Sequence, residues 1–239
     1  MTTYISKTCI NRLVADIKEL KKNPLENNGI FYSHDDENIL KGYALIIGSK
    51  NTPYNYGYYL FSIEYPPEYP YKPPKFTYHT NDGVTRFHPN LYTNGKVCLS
   101  ILNTWKGEQW SSCQTISTIL LTLSSILDNM PLINEPGITQ NHKDNINYNK
   151  IISYKNIEIS ILDILEKKIY YNWFNKFNDI INKKFEENYN DIINLIDENI
   201  KNGEHDIYLK TGVYNLYVYT DYNYIKNKIK KLYNSSTNK

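Results

Sequence analysis

An α+β fold, with helices and strands in separate runs along the chain, is predicted by three features of the sequence. A helical period opens it, strand-like apolar segments broken by turns and prolines follow, and helical stripes fill the rest. Ile10, Leu13, Val14, Ile17 and Leu20 recur at helical spacing and stop at Asn23-Pro24, which gives an amphipathic first helix with Ser6 or Thr8 as its cap. Leu40 to Ile47 and Tyr58 to Tyr65 read as strands around the turn-forming Gly48 to Pro53, and Lys75 to Tyr78 fits a further strand. Pro66 to Pro74 cannot be an interior strand, because proline lacks the ladder donor, and His79 to Thr85 reads as loop.

Ser111 followed by Gln114 has the spacing of a capping box for a helix carrying Ile116, Ile119, Leu120, Leu123 and Leu127, which stops before Pro131. Farther on, Trp173, Phe177, Ile181, Phe185, Tyr189, Ile192, Ile196 and Ile200 form one helical stripe closed by Gly203. Packing against the rest of the chain is the expected use of this stripe; a partner-binding helix is the alternative. Ile207 to Tyr219 fits strand or helix, Ile225, Ile229 and Leu232 suggest a last basic helix, and Ser235 to Lys239 is expected to fray.

The 239 residues allow one large domain, or one domain plus an extension. With 27 basic against 25 acidic side chains, no global field calls for nucleic acid. The 24 tyrosines follow no basic stripe, so they read as the composition of an AT-rich genome rather than as a base-stacking surface. Cys9, Cys98 and Cys113 suggest no disulfide framework and no metal-ligand spacing, which fits a reducing compartment. Met1 to Tyr4 starts no secretory signal, and no apolar run is long enough to span a bilayer. The expected location is the cytoplasm, with the nucleus also open, and neither nucleic acid nor membrane is an expected partner.

The chemistry concentrates in Phe87-His88-Pro89-Asn90-Leu91-Tyr92-Thr93-Asn94-Gly95-Lys96-Val97-Cys98. A thiol can carry an acyl group as a thioester, and a carboxamide can donate to the oxyanion formed when that group is passed on. Pro89 restricts the backbone before Asn90, and Gly95 permits a turn between amide and sulfur. A buried structural cysteine and a turn-forming asparagine are the plain alternatives.

This stretch resembles the active site of the ubiquitin-conjugating enzymes, His-Pro-Asn followed eight residues later by the acceptor Cys. Tyr69-Pro70-Tyr71-Lys72-Pro73-Pro74-Lys75-Phe76 resembles the family's proline-rich loop, and Trp110-Ser111-Ser112-Cys113-Gln114 its Trp-Ser-Pro approach to the central helix. The long segment between Cys98 and Trp110, with Asn134-Glu135-Pro136-Gly137 after it, is similar to the Z-type subgroup and to the giant conjugating enzyme fused to an inhibitor-of-apoptosis repeat. The resemblance implies a four-stranded antiparallel sheet flanked by helices in a monomer. It implies a catalytic domain over 1–155 and a helical C-terminal extension over 156–239 packed on it, begun by the helical pattern of Tyr148 to Ile164.

The resemblance also implies roles. Cys98 accepts ubiquitin from an activating enzyme, and Asn90 stabilises the oxyanion during attack by a substrate lysine. His88 shapes the loop with Pro89, a general base being the alternative reading of its ring. Neutralising a lysine at pH 7 costs roughly 4–5 kcal/mol, and Glu135 occupies the place of an acidic gate that would help, a solvated loop carboxylate being the alternative. Arg12, Tyr71, Trp110 and Cys113 match positions that meet the activating enzyme or a ubiquitin ligase. Leu121 matches the face that holds donor ubiquitin, burial being its alternative. Tyr71 replaces the usual Phe and Ser112-Cys113 the usual Pro-Ala, which leaves the ligase class open. No metal or bound cofactor is implied, since ATP is used by the activating enzyme. The rivals are a non-catalytic ubiquitin-binding scaffold, an enzyme for another ubiquitin-like modifier, and a cysteine hydrolase, for which no orienting set is recognisable.

Overall fold

The computed structural model describes residues 5–237. The Met1 to Tyr4 segment read for a secretory signal, and Asn238 and Lys239 of the tail expected to fray, lie outside the described residues.

Helix α1 (Lys7–Lys22) starts on Ser6, whose hydroxyl accepts from the Cys9 amide, and ends with Lys21 and Lys22, favourable charges at a helix C-terminus. Four antiparallel strands follow in the order β1-β2-β3-β4. They are β1 (Ile30–His34), β2 (Lys41–Ile47), β3 (Tyr58–Glu64) and β4 (Lys75–Tyr78). β1 had no sequence signal of its own. Its second half, Tyr32-Ser33-His34, is half-buried and polar, as suits an edge strand, so the apolar run that marks β2 and β3 is missing. It is set up by a short 3₁₀ turn ending at Gly29, which takes φ 71° where only glycine is unstrained.

Helix α2 (Ile116–Ile126) buries Ile116, Ile119, Leu120 and Leu123 and packs near α1 and β1. Its capping box is not the expected Ser111–Gln114 pair. Thr115 caps it and Thr118 reciprocates, while Ser111 and Gln114 close a separate turn just before the helix. Both pairs have capping chemistry, and Thr115 lies directly before the buried period.

The C-terminal part is mostly helical. Helix α3 (Asn145–Lys155) runs without a break into a π-helical stretch, Asn156–Asp163, so residue 155 lies inside a continuous helical run. A 3₁₀ segment (Asn172–Phe177) precedes α4 (Asn178–Lys201), and α5 (Tyr222–Thr237) closes the described chain. The ambiguous segment resolves as a hairpin of β5 (Ile207–Lys210) and β6 (Tyr217–Thr220), with Leu209 and Val218 inward and Tyr208, Tyr217 and Tyr219 outward. The tail expected to fray from Ser235 is helical through Thr237.

The long apolar stripe is buried: Phe177, Ile181, Phe185, Ile192 and Ile196 join one core with the sheet residues and with Ile225 and Ile229 of α5. Burying such side chains is worth about 1.5–3 kcal/mol each, whereas the Lys176–Asp36 ion pair, with an exposed carboxylate, is worth about 0–1 kcal/mol. Apolar packing therefore holds the extension to the sheet. Two specific fits supplement it. Trp173 stacks on Tyr43 of β2 at 4.7 Å, and Asn156 accepts from the Tyr59 hydroxyl at 2.6 Å while donating to the Asn55 carbonyl at 2.8 Å. A Cβ on Gly57 would stand 1.9 Å from the Asn156 carboxamide oxygen, so the close approach needs glycine there.

Candidate active site

Residues 86–90 are braced from several sides. The Phe87 carbonyl accepts from the Tyr54 hydroxyl at 2.7 Å, and the Arg86 carbonyl accepts from the hydroxyl of Tyr148 on α3 at 2.7 Å. The Arg86 guanidinium donates to the carbonyls of His88 at 3.2 Å and Pro89 at 2.7 Å, and lies 3.3 Å over the Tyr92 ring. His88 is fully buried. Its Nδ1 accepts from the Asn90 amide at 3.0 Å, which places the proton on Nε2, directed toward the Ile126 carbonyl at the end of α2 without full hydrogen-bond geometry. Burial, and secondarily Arg86, push its pKa down to about 3. A ring so enclosed and committed has no path to a reacting proton, so this geometry favours loop-shaping over base chemistry.

The same burial makes a stability prediction. His88, His79 (pushed down to about 4) and His34 (lowered) all stay neutral in the fold below the ordinary 6.5, because desolvation disfavours their charged form. In that range the unfolded chain binds more protons, so the stability they contribute is complete above 6.5 and is lost as pH falls toward the folded values. The melting temperature should drop between about pH 7.5 and about pH 5.5, before most carboxylates titrate. A flat profile there would contradict the neutral histidines.

Asn90 and Cys98 are paired through the backbone and the carboxamide. The Cys98 amide donates to the Asn90 carbonyl at 2.9 Å, and the Asn90 side-chain nitrogen donates to the Cys98 carbonyl at 2.5 Å. The carboxamide thus lies beside the cysteine with one N–H committed. Its second N–H has no hydrogen-bond partner among the described residues, and its oxygen is buried without one.

Cys98 is almost fully enclosed, 1% exposed, although a thiol that accepts an acyl group from another protein must be reached from solvent. It nevertheless lies outside the contiguous apolar core that contains Cys9. The chain after it doubles back on both neighbours. The Thr104 hydroxyl lies 3.1 Å from the carbonyls of both Val97 and Leu99, which share its one proton, and accepts from the Leu99 amide at 2.9 Å, and Gly107 comes against Ser100. The long segment that distinguishes this chain is therefore clasped onto both neighbours of Cys98, and it is expected to limit access to the sulfur. Thr104→Ala removes the clasp. Each hydrogen bond is worth about 0.5–1.5 kcal/mol, so iodoacetamide should alkylate Cys98 about two- to tenfold faster in the variant, read by mass spectrometry against exposed Cys113. An unchanged ratio would place the cover elsewhere.

The other predicted residues fall in three places. Arg12, Tyr71, Trp110 and Cys113 gather at one end. Arg12 donates to Asp16, to the Ser112 carbonyl and to the Gln114 carbonyl, and the Trp110 indole donates to the Pro70 carbonyl at 2.7 Å. Arg12 is thus spent on holding this loop, while Tyr71 (71% exposed) and Cys113 face outward. Leu121 is exposed on α2 rather than buried. Glu135, half-buried, accepts from the hydroxyl of Tyr214 in the β5–β6 hairpin. Sequence reading missed Arg86, Tyr54, Tyr148 and Tyr214. The three tyrosines were indistinguishable from the compositional excess, and Arg86 is marked only by lying just before Phe87-His88-Pro89-Asn90.

Comparison with known proteins settles the relationship. A profile described as Ubiquitin-conjugating enzyme matches residues 12–157, more than half the chain. The chain belongs to the ubiquitin-conjugating enzyme family. "Ubiquitin-conjugating enzyme E2 Z" of Danio rerio is 41% identical over 167 residues, covering 69% of this chain and 50% of that protein. The Xenopus tropicalis protein of the same name is 40% identical, covering 68% and 52%, and the Homo sapiens one 41%, covering 67% and 46%. The chain spans about half the length of these curated relatives. The four-stranded antiparallel sheet, its helices and the C-terminal helical part are consistent with the conjugating fold, and the Z-type pattern read in the segment after Cys98 agrees with the relatives' names.

Proposed function

We propose that this conjugating domain accepts ubiquitin from an activating enzyme as a thioester on Cys98 and transfers it to a substrate lysine, alone or with a ligase. The Asn90–Cys98 pairing inside a domain of this family is the observation that carries the reading. In the first step the Cys98 thiolate attacks the activating enzyme's thioester; the new C–S bond forms as the old one breaks, and the activating enzyme's cysteine leaves as a thiolate. In the second a neutral lysine amine attacks the carbonyl. The oxyanion is met by the free N–H of Asn90, the C–S bond breaks, and the proton lost by the amine ends on the departing sulfur. Glu135 orients the incoming amine. ATP is spent by the activating enzyme, and no metal or cofactor takes part. Residues 1–155 act as the catalytic domain and 156–239 as its extension, in a monomer of the cytoplasm or nucleus. The end bearing Tyr71, Trp110 and Cys113, shaped by Arg12, is offered to the activating enzyme and a ligase, and Leu121 to donor ubiquitin.

A second reading, a non-catalytic ubiquitin-binding scaffold, draws on the 1% exposure of Cys98. Incubation with activating enzyme, ATP and ubiquitin, run on reducing and non-reducing gels, separates the two. The enzyme forms a thiol-sensitive adduct; the scaffold forms none. A panel of modifiers in the same assay reads out which one is accepted.

A further inference from the structure

The tip of the β5–β6 hairpin lies against the candidate site. Tyr214 there donates to the Glu135 Oε2. Its ring centre is 5.2 Å from the Arg86 guanidinium carbon and 6.1 Å from that of Tyr148. Arg86 in turn braces the carbonyls of His88 and Pro89, directly before Asn90. One side chain of the C-terminal extension therefore touches both the candidate gate carboxylate and the cation that holds the Asn90 segment.

Two independent features mark this contact as built. Tyr214 takes φ 62° and ψ 3°, followed by Asn215 at φ 51°. A bulky side chain in the left-handed region is unfavourable and persists only where its surroundings over-determine it. The surroundings do so. Asp144 stands before the first turn of α3 yet makes no side-chain cap there; its carboxylate instead accepts from the Val213 amide at 2.9 Å. The Thr211 hydroxyl donates to the Val213 carbonyl at 2.7 Å, and the Thr211 amide to the Leu216 carbonyl at 3.0 Å. Desolvation first, and Glu135 second, raise the pKa of Tyr214, so its hydroxyl remains a donor throughout the working range. The other groups facing it are Arg86, Tyr92 and Tyr148.

We propose that Tyr214 is a positioning residue for transfer to lysine. It fixes one oxygen of Glu135, leaving the other to meet the incoming amine, and through Arg86 it steadies the segment that carries Asn90. The extension thereby tunes discharge and not charging. This rests on the reading that Cys98 is charged and that Glu135 meets the amine.

The test uses the full chain with activating enzyme, ATP and ubiquitin, followed by a chase with free lysine. Tyr214→Phe keeps the ring on Arg86 and removes the donor. Its charging rate should equal the wild type's, and its discharge should fall by up to about 10²-fold, the scale of a mispositioned group. In the Glu135→Ala background, Tyr214→Phe should cost nothing further, because the two act as one unit. Discharge at the wild-type rate, a full additive loss on top of Glu135→Ala, or an equal loss of charging and discharge would each overturn the proposal; the last marks a merely structural role. A wild-type chain that never forms the adduct overturns the functional reading itself, a result distinct from these.

Discussion

Asn90→Ala is expected to leave charging of Cys98 by the activating enzyme close to wild type and to slow discharge onto lysine by about 10²–10³-fold. The asymmetry follows from where charge develops. Both attacks put negative charge on the carbonyl oxygen, but a thiolate is a strong nucleophile that exchanges with a like leaving group, whereas a neutral amine is the weaker attacker here and depends more on a donor at the oxyanion. The Asn90 carboxamide has one N–H spent on the Cys98 carbonyl and a second without a partner among the described residues. The first bond makes Asn90 structural as well. Losing a neutral hydrogen bond costs about 0.5–1.5 kcal/mol, while losing an oxyanion donor costs about 2.7–4 kcal/mol, so the two roles separate by size. Thermal melting of Asn90→Ala should report the small term and a single-turnover lysine chase the large one. A discharge defect no larger than the stability loss predicts would reduce Asn90 to a loop brace.

The parts of this architecture that repeat at short range were legible in the sequence. The period of Ile10 to Leu20, the apolar runs of β2 and β3 and the stripe of α4 all reflect a local pattern meeting one core. β1 was not, because an edge strand with half-buried Tyr32, Ser33 and His34 carries too short an apolar run to stand out. The cap of α2 shifted to Thr115 because two capping pairs stood four residues apart, and the buried face of Ile116 to Leu123 decides which starts the helix. At the site, Cys98, Asn90, His88 and Pro89 could be found by spacing, since the loop that joins them is itself local. The supports could not. Tyr148 reaches Arg86 across 62 positions and Tyr214 reaches Glu135 across 79, and nothing in a tyrosine-rich composition singles out those two. The concealment of Cys98 was equally invisible. It depends on how a long segment closes upon Val97 and Leu99, and the length of that segment alone does not say whether it projects or covers.

That concealment sharpens what the account must explain. With Cys98 1% exposed, the proposed thioester chemistry requires the sulfur to be uncovered before it attacks, which makes local opening around Cys98 an expectation of the proposed function. The decisive variants are Cys98→Ala and Cys98→Ser. Alanine removes the nucleophile and should abolish the adduct. Serine keeps an oxygen nucleophile in the same place and should yield an oxyester, slower to form but resistant to thiol reagents, because a thiol displaces a thioester far more readily than an ester. Intact-mass analysis with peptide mapping, after incubation with activating enzyme, ATP and ubiquitin, is the most direct measurement. The wild type should gain one modifier, removed by dithiothreitol and mapped to Cys98. Cys98→Ser should carry the same mass through dithiothreitol, and Cys98→Ala none. An adduct that persists in Cys98→Ala, or that maps to Cys113, would contradict it.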